Sequence, residues 1–159
     1  MKPHISAITR DAVRAAVPAD RAAVEDIVRA AYEPWVRLIG VRPSPLDADY
    51  ASLIARGLVF VCGADELTGV IVLVPEDDVL LIENVAVRPD RQRAGIGRTL
   101  LAFAETQARR GGCAVVRLYT HSDMVSNIKL YGTLGYAVTD HEPVGHGYLV
   151  HMRKAVDPL

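Results

Sequence analysis

The sequence predicts a mixed α/β domain, and three observations carry that prediction. Half of the 159 residues are hydrophobic, enough to bury one core. Helical and strand periodicities alternate along the chain. The connections between them are short, and no internal repeat or low-complexity tract interrupts the alternation. The resulting order is β, α, α, β, β, β, α, β, α, β, β: about seven strands in one sheet with about four helices against it. Residues 1–10 read as an extension ahead of a single domain.

Each element has its own signal. Residues 12–17 form a short apolar strand, and Pro18, Ala19 and Asp20 then open a helix, with Asp20 as the expected N-cap. Ala23, Val24, Ile27, Val28 and Ala31 recur at three and four, the spacing of a helix face laid on a sheet. That helix reaches Tyr32, and Pro34 is expected to bend or end it. Gly40, Pro43 and Pro45 make 36–46 an irregular loop before a short helix at 47–56. Strands at 58–62, 68–74 and 79–87 follow, joined by turns at Ala64-Asp65-Glu66 and Glu76-Asp77-Asp78, which predicts an antiparallel meander. The segment 95–110 is helical, with Ile96, Leu100, Phe103 and Ala104 on one face and Gly111-Gly112 behind it. A strand at 114–120, a helix to Leu134 capped by Ser122 or Asp123, and strands at 136–141 and 148–153 complete the chain.

Composition narrows the function. The formal net charge is -1, so at whole-chain level nothing favours nucleic acid or an anionic membrane as partner. Cys62 and Cys113 have no CxxC spacing and read as buried thiols in a reducing, cytoplasmic compartment; no metal site is implied. The N-terminal stretch is too polar and interrupted for a signal peptide, and no apolar run approaches the length of a membrane span.

Positive charge is instead concentrated at one junction, IENVAVRPDRQRAGIGRTLLAFAE. Arg88, Arg91, Arg93 and Arg98 fall within eleven residues against a single Asp90, where a strand passes through a glycine-containing turn into a helix. Such a helix start presents unpaired N–H groups at the positive end of its dipole, and Gly95 and Gly97 let a bulky anion approach them. The junction is suited to a polyanion. A dinucleotide fingerprint would need a third glycine where Leu100 stands, and the string for a P-loop is absent.

Gln92-Arg93-Ala94-Gly95-Ile96-Gly97 matches the QxxGxG acyl-CoA signature of the GCN5-related N-acetyltransferase (GNAT) superfamily, and NIKLYGTLGY, residues 127–136, is similar to its C-terminal signature. With the element order, the resemblance covers about residues 12–154. It implies the GNAT fold, with a mixed sheet whose strands 79–87 and 114–120 splay into an acyl-CoA slot. It also implies that the amides from Arg93 to Arg98, through Ala94, Gly95, Ile96 and Gly97, wrap the pyrophosphate of coenzyme A, with Gln92 holding the loop. The pantetheine arm would pair with the backbone of Val85 and Val87, past Ala86, and a main-chain N–H near Val85 would meet the oxyanion. Tyr131 matches the tyrosine that protonates the leaving thiolate. Many members carry asparagine seven residues earlier, where this chain has Met124; Asn127, on the same helical face as Tyr131, is expected to turn to the pantetheine amides instead.

The activity implied by this resemblance is that of an acetyl-CoA-dependent N-acetyltransferase working by direct attack in a ternary complex. The alternative is an acyl-CoA-binding regulatory module with little turnover, against which Glu83 and Tyr131 weigh. An incoming ammonium must lose a proton. Glu83, two residues before Val85 and so expected on the same strand face, is the first candidate base, and His121 the second. By the family pattern the loop after the first helix and the last strands form the acceptor wall, nominating Tyr32, Trp35, Arg37, Arg42 and Tyr148. The aromatic and cationic residues suit an acceptor with an apolar body and a carboxylate. Small-molecule and peptide amines both remain open, as does a homodimer.

Overall fold

The computed structural model describes residues 12–158; the N-terminal extension at 1–10 lies outside them. The elements come in the predicted order: β1 (Val13–Ala15), α1 (Arg21–Ile39), α2 (Tyr50–Ala55), β2 (Val59–Cys62), β3 (Gly69–Glu76), β4 (Val79–Val87), α3 (Ile96–Arg110), β5 (Val115–His121), α4 (Val125–Thr133), β6 (Ala137–Val144) and β7 (Gly147–Ala155). The strands make one seven-stranded mixed sheet in the order β1-β2-β3-β4-β5-β7-β6. Its neighbours are antiparallel except β4 and β5, which run parallel. The meander of β2, β3 and β4 is as expected.

Apolar side chains alternate between the two sheet faces, and helices cover both. On one face Leu100, Leu101 and Ala104 of α3 pack against Ile71, Leu80, Ile82 and Leu118. On the other, Val24, Ile27 and Val28 of α1 and Tyr50 and Ile54 of α2 cover Val59, Val61, Val70 and Val72. Full burial of one such aliphatic side chain contributes about 1.5–3 kcal/mol, so these stripes, more than helix propensity, hold the layers together.

Three local expectations need correction. Pro34 neither bends α1 out of register nor ends it; the helix continues to Ile39, which is 1% exposed. Burial of Ile39 offsets the hydrogen bond that proline forfeits, and Gly40 stops the helix instead, at φ 78° with its N–H on the Val36 carbonyl. Asp20 stands at the start of α1 but its carboxylate turns back, accepting the Val17 N–H at 2.8 Å and pairing with Arg14. Neither Ser122 nor Asp123 caps α4, whose N-cap is Met124. The Ser122 hydroxyl accepts the Tyr148 N–H, and the Asp123 N–H goes to His121 Nδ1.

Two irregularities in β4 shape everything near the site. The parallel ladder to β5 lasts only from Val79↔Val115 to Ile82↔Leu118, after which β4 continues to Val87 alone on that side. The antiparallel ladder to β3 jumps from Leu73↔Ile82 to Val72↔Asn84, so Glu83 is the extra residue of a β-bulge. The two-residue alternation therefore breaks at Glu83. Ile82 and Val85 pack toward the α3 face, while Asn84 turns to Tyr50 and Ala86 joins the α1 face.

Candidate functional site

Beyond the end of the β4–β5 ladder the sheet opens into two adjoining clefts of about 410 and 400 Å3. They meet at Tyr32, Val85, Met124, Asn127 and Tyr131, which line both.

The first cleft runs from Val85–Val87 to the start of α3. Gly95 sits at φ 84° as N-cap, with Arg93 also left-handed at φ 71°. The first bond of the helix is Thr99 N–H to Gly95 O at 3.0 Å, so the amides of Ile96, Gly97 and Arg98 face forward with no carbonyl behind them. A Cβ on Gly97 would approach only Val87, at 4.0 Å, so the space before the amides is open. Gln92 Nε2 donates to the Val87 carbonyl at 3.3 Å and ties the loop to the strand. Gln92, Arg93, Gly95, Ile96, Gly97 and Arg98 line this cleft, and so does Arg91. Ala94 does not; it lies on a separate recess beside Asp65 and Glu66. Of the four arginines, Arg88 is withdrawn by Glu66 and Asp90. Arg91, Arg93 and Arg98 have no acidic partner among the described residues. Three free cations and a helix start fit a pyrophosphate.

At the junction, Tyr32 Oη donates to the Val85 carbonyl at 3.0 Å. This corrects the expectation that the Val85 backbone is wholly free for a ligand. A strand residue presents its N–H and C=O to the same edge, so the Val85 N–H also faces the gap and remains available. Tyr131 is 6% exposed and its hydroxyl has no hydrogen-bond partner among the described residues. Burial pushes its phenol up to about 12, so it stays protonated. Burial raises Tyr32 still further. Asn127 Nδ2 reaches the Met124 sulfur at 3.6 Å, a weak bond that leaves its amide able to take another partner.

The second cleft is walled by the chain after α1, by β5, and by β6 and β7. Because of the bulge, Glu83 does not share Val85's face as expected; its carboxylate stands beside Tyr119, whose hydroxyl donates to Oε1 at 3.4 Å. Asn84 Nδ2 donates to Tyr50 Oη at 3.0 Å, and Tyr50 in turn donates to the Pro45 carbonyl at 2.7 Å. His121 is 4% exposed. Its Nδ1 accepts the Asp123 N–H at 3.0 Å, so the ring proton sits on Nε2, and the ring offers the cleft a donor where a base was expected.

The nominated acceptor residues separate. Arg42 lines the second cleft but is paired with Asp47 at 2.8 Å. Trp35 lines the first cleft and Tyr32 both, because α1 runs on past Pro34. Arg37 and Tyr148 line neither: Arg37 is exposed on α1, and Tyr148 makes an edge contact with His141 on the outside. The sequence pattern had not singled out Arg117, Tyr119, Glu142 and His151, all of which line the second cleft. In β5, Arg117, Tyr119 and His121 alternate with buried Val116, Leu118 and Thr120, and that period of two was the available signal.

This architecture, a parallel pair that splays beside a cationic helix start, defines an acetyltransferase class. Residues 22–136 match the model of the Acetyltransferase (GNAT) family, and the chain belongs to that family. Mycothiol acetyltransferase of Saccharopolyspora erythraea is 41% identical over 56 residues, a match spanning 35% of this chain and 18% of that protein. Among solved structures, the ribosomal-protein-S18-alanine N-acetyltransferase of Escherichia coli superposes with a TM-score of 0.74 at 22% identity, covering 93% of this chain and 95% of its own. The PaiA N-acetyltransferase of Thermoplasma acidophilum, solved with coenzyme A, gives 0.75 at 21% identity over 91% and 98%. Among the described residues no helix is long and apolar enough to cross a membrane, and no group of three or more His, Cys, Asp or Glu could hold a metal ion.

Proposed function

We propose that the protein is an N-acetyltransferase that moves the acetyl group of acetyl-CoA to a primary amine, small-molecule or peptide, by direct attack in a ternary complex. The observation that carries this reading is the end of the β4–β5 ladder after Ile82 and Leu118, which opens a gap directly beside the free amides of α3. Acetyl-CoA supplies the acyl group as a thioester; the chain's residues do the rest. The amides of 96–98 with Arg91, Arg93 and Arg98 hold the pyrophosphate, and Asn127 takes a pantetheine amide. The Val85 N–H, pointing into the gap, stabilises the charge that develops on the carbonyl oxygen. Tyr131, neutral because it is buried, gives its proton to the departing thiolate. Of the two candidate bases, Glu83 is the one that turns an acceptor oxygen to the second cleft, so it receives the ammonium proton, directly or through water.

The test is a thermal shift with acetyl-CoA, coenzyme A, NAD and ATP, followed by thiol release with an amine library. A ligand bound only by the native state raises the melting temperature, by an amount set by RT ln(1 + [L]/Kd). Stabilisation by the two CoA species alone, with amine-dependent thiol release, is expected; stabilisation by NAD or ATP alone would remove the reading. Glu83→Gln is expected to bind acetyl-CoA normally and turn over about a hundredfold more slowly at pH 7. Part of the rate should return as pH rises and more of the amine is free.

A further inference from the structure

The charges around the second cleft are already matched, with one exception. Arg42 is held by Asp47 at 2.8 Å and Arg117 by Glu76 at 2.9 Å, while Glu142 lies 3.0 Å from His151. Glu83 alone faces the cleft without a counter-charge, supported only by the Tyr119 hydroxyl. A ligand carboxylate entering here would have to displace Asp47 or Glu76 from its arginine and would meet Glu83 besides. A cation meets no such obstacle.

Two buried polar atoms on the same cleft lack partners. Asn84 Oδ1 is one. Its orientation is fixed, because Tyr50 gives its proton to Pro45 and so needs the Asn84 amide as donor. His121 Nε2 is the other, carrying the ring proton since Nδ1 is an acceptor. Asn84 and His121 are each 4% exposed, and a polar group so buried is normally satisfied by something. The cleft thus offers an unmet carboxylate, an unmet carbonyl and an unmet N–H between apolar walls that include Val41, Leu118 and Leu149. The β-bulge brings the first two together, by delivering adjacent residues to one cleft.

We infer that the acceptor is a primary ammonium on an apolar body, without a carboxylate and with a neutral oxygen for the His121 N–H. Glu83 and Asn84 take the ammonium, and His121 takes the hydroxyl or carbonyl oxygen. This deepens the acetyltransferase reading and rests on it for the identity of the acceptor. It reverses the sequence-based expectation of a carboxylate on Arg37 or Arg42.

Three amines with one body test it: phenylalaninamide, 2-phenylethylamine and phenylalanine, each titrated calorimetrically into the protein with and without coenzyme A, and each assayed for thiol release from acetyl-CoA. The amide is expected to bind about threefold to tenfold more tightly than the plain amine, through one added hydrogen bond. Phenylalanine is expected to fall at least about tenfold below the amide, through like-charge repulsion. Glu83→Gln should weaken both amines and narrow the gap between amide and acid. Equal or tighter binding of phenylalanine, an unchanged gap in Glu83→Gln, or failure of all three to bind would overturn the inference. Binding in the expected order with no thiol released would instead overturn the acetyltransferase reading and leave the selectivity standing.

Discussion

The first cleft is made largely of main chain, and the second of side chains. Between Val85 and Arg98 one continuous stretch supplies a strand edge, a left-handed turn at Arg93 and Gly95, and a helix start. Amides in such a stretch are positioned by the backbone itself, so a change of side chain alters the first cleft only by filling it. In the second cleft Glu83, Arg117, His121, Glu142 and His151 come from four strands, and each is aimed by a neighbour: Tyr119, Glu76, Asp123 and, between the last two, each other. A surface of that kind is retuned one residue at a time. The division suits an enzyme whose one substrate is constant and whose other is particular to it.

The comparison breaks first at Gly97. Its Cβ direction is open, so Gly97→Glu should fold normally and place a carboxylate where the anion belongs, lowering acyl-CoA affinity by more than about a hundredfold. Calorimetry with coenzyme A, beside an unchanged far-ultraviolet circular dichroism spectrum, reads both halves of that statement. Tyr131 lines both clefts, and its loss should leave affinity alone. In Tyr131→Phe, kcat should drop about a hundredfold to ten-thousandfold with coenzyme A affinity kept; full kcat with chemistry rate-limiting would make Tyr131 a packing residue.

A smaller effect is expected where the clefts meet. Tyr32→Phe removes the bond to the Val85 carbonyl and should cost about 1 kcal/mol in urea unfolding, with KM shifting for both substrates. A shift for one substrate alone would place Tyr32 within a single cleft. The smallest effect belongs outside both. The Arg14 guanidinium bonded to Asp20 holds that carboxyl below its ordinary value, with the Val17 N–H assisting against the opposing effect of burial. A lowered folded pKa contributes stability that is fully present above the unfolded pKa and is lost as pH falls through the lowered one. Asp20→Asn should therefore be less stable at pH 7, by about 0.2–1 kcal/mol because Arg14 is half exposed, and the difference should close in acid. Kinetics should not change.

The first cleft was readable in the sequence because its parts are contiguous and its chemistry is a property of local backbone form. The order of the elements was readable for the same reason, since each carries its own period. The second cleft depended on facts with no local sign. VLLIENVAV is apolar on both parities apart from Glu83 and Asn84, so nothing in it announces the bulge that sends both of those to one side. Pro34 argued for a helix end, and the contrary argument, burial of Ile39, required knowing what lay beneath it. His151 looked like a surface residue because its partner Glu142 lies on the neighbouring strand, in a register fixed only on folding. His121 had the right residue type for a base, but which nitrogen faces the cleft was decided by an amide two residues later.

The short β4–β5 ladder also has a mechanical meaning. Strands β1 to β4 and β5 to β7 are two half-sheets sewn by four paired positions, with a crack continuing past the last stitch. A ligand lying in that crack with hydrogen bonds to both lips would lengthen the seam. Amide exchange should then slow well beyond the residues the ligand touches, in β6 and β7 as much as in β3, because the halves could no longer breathe apart.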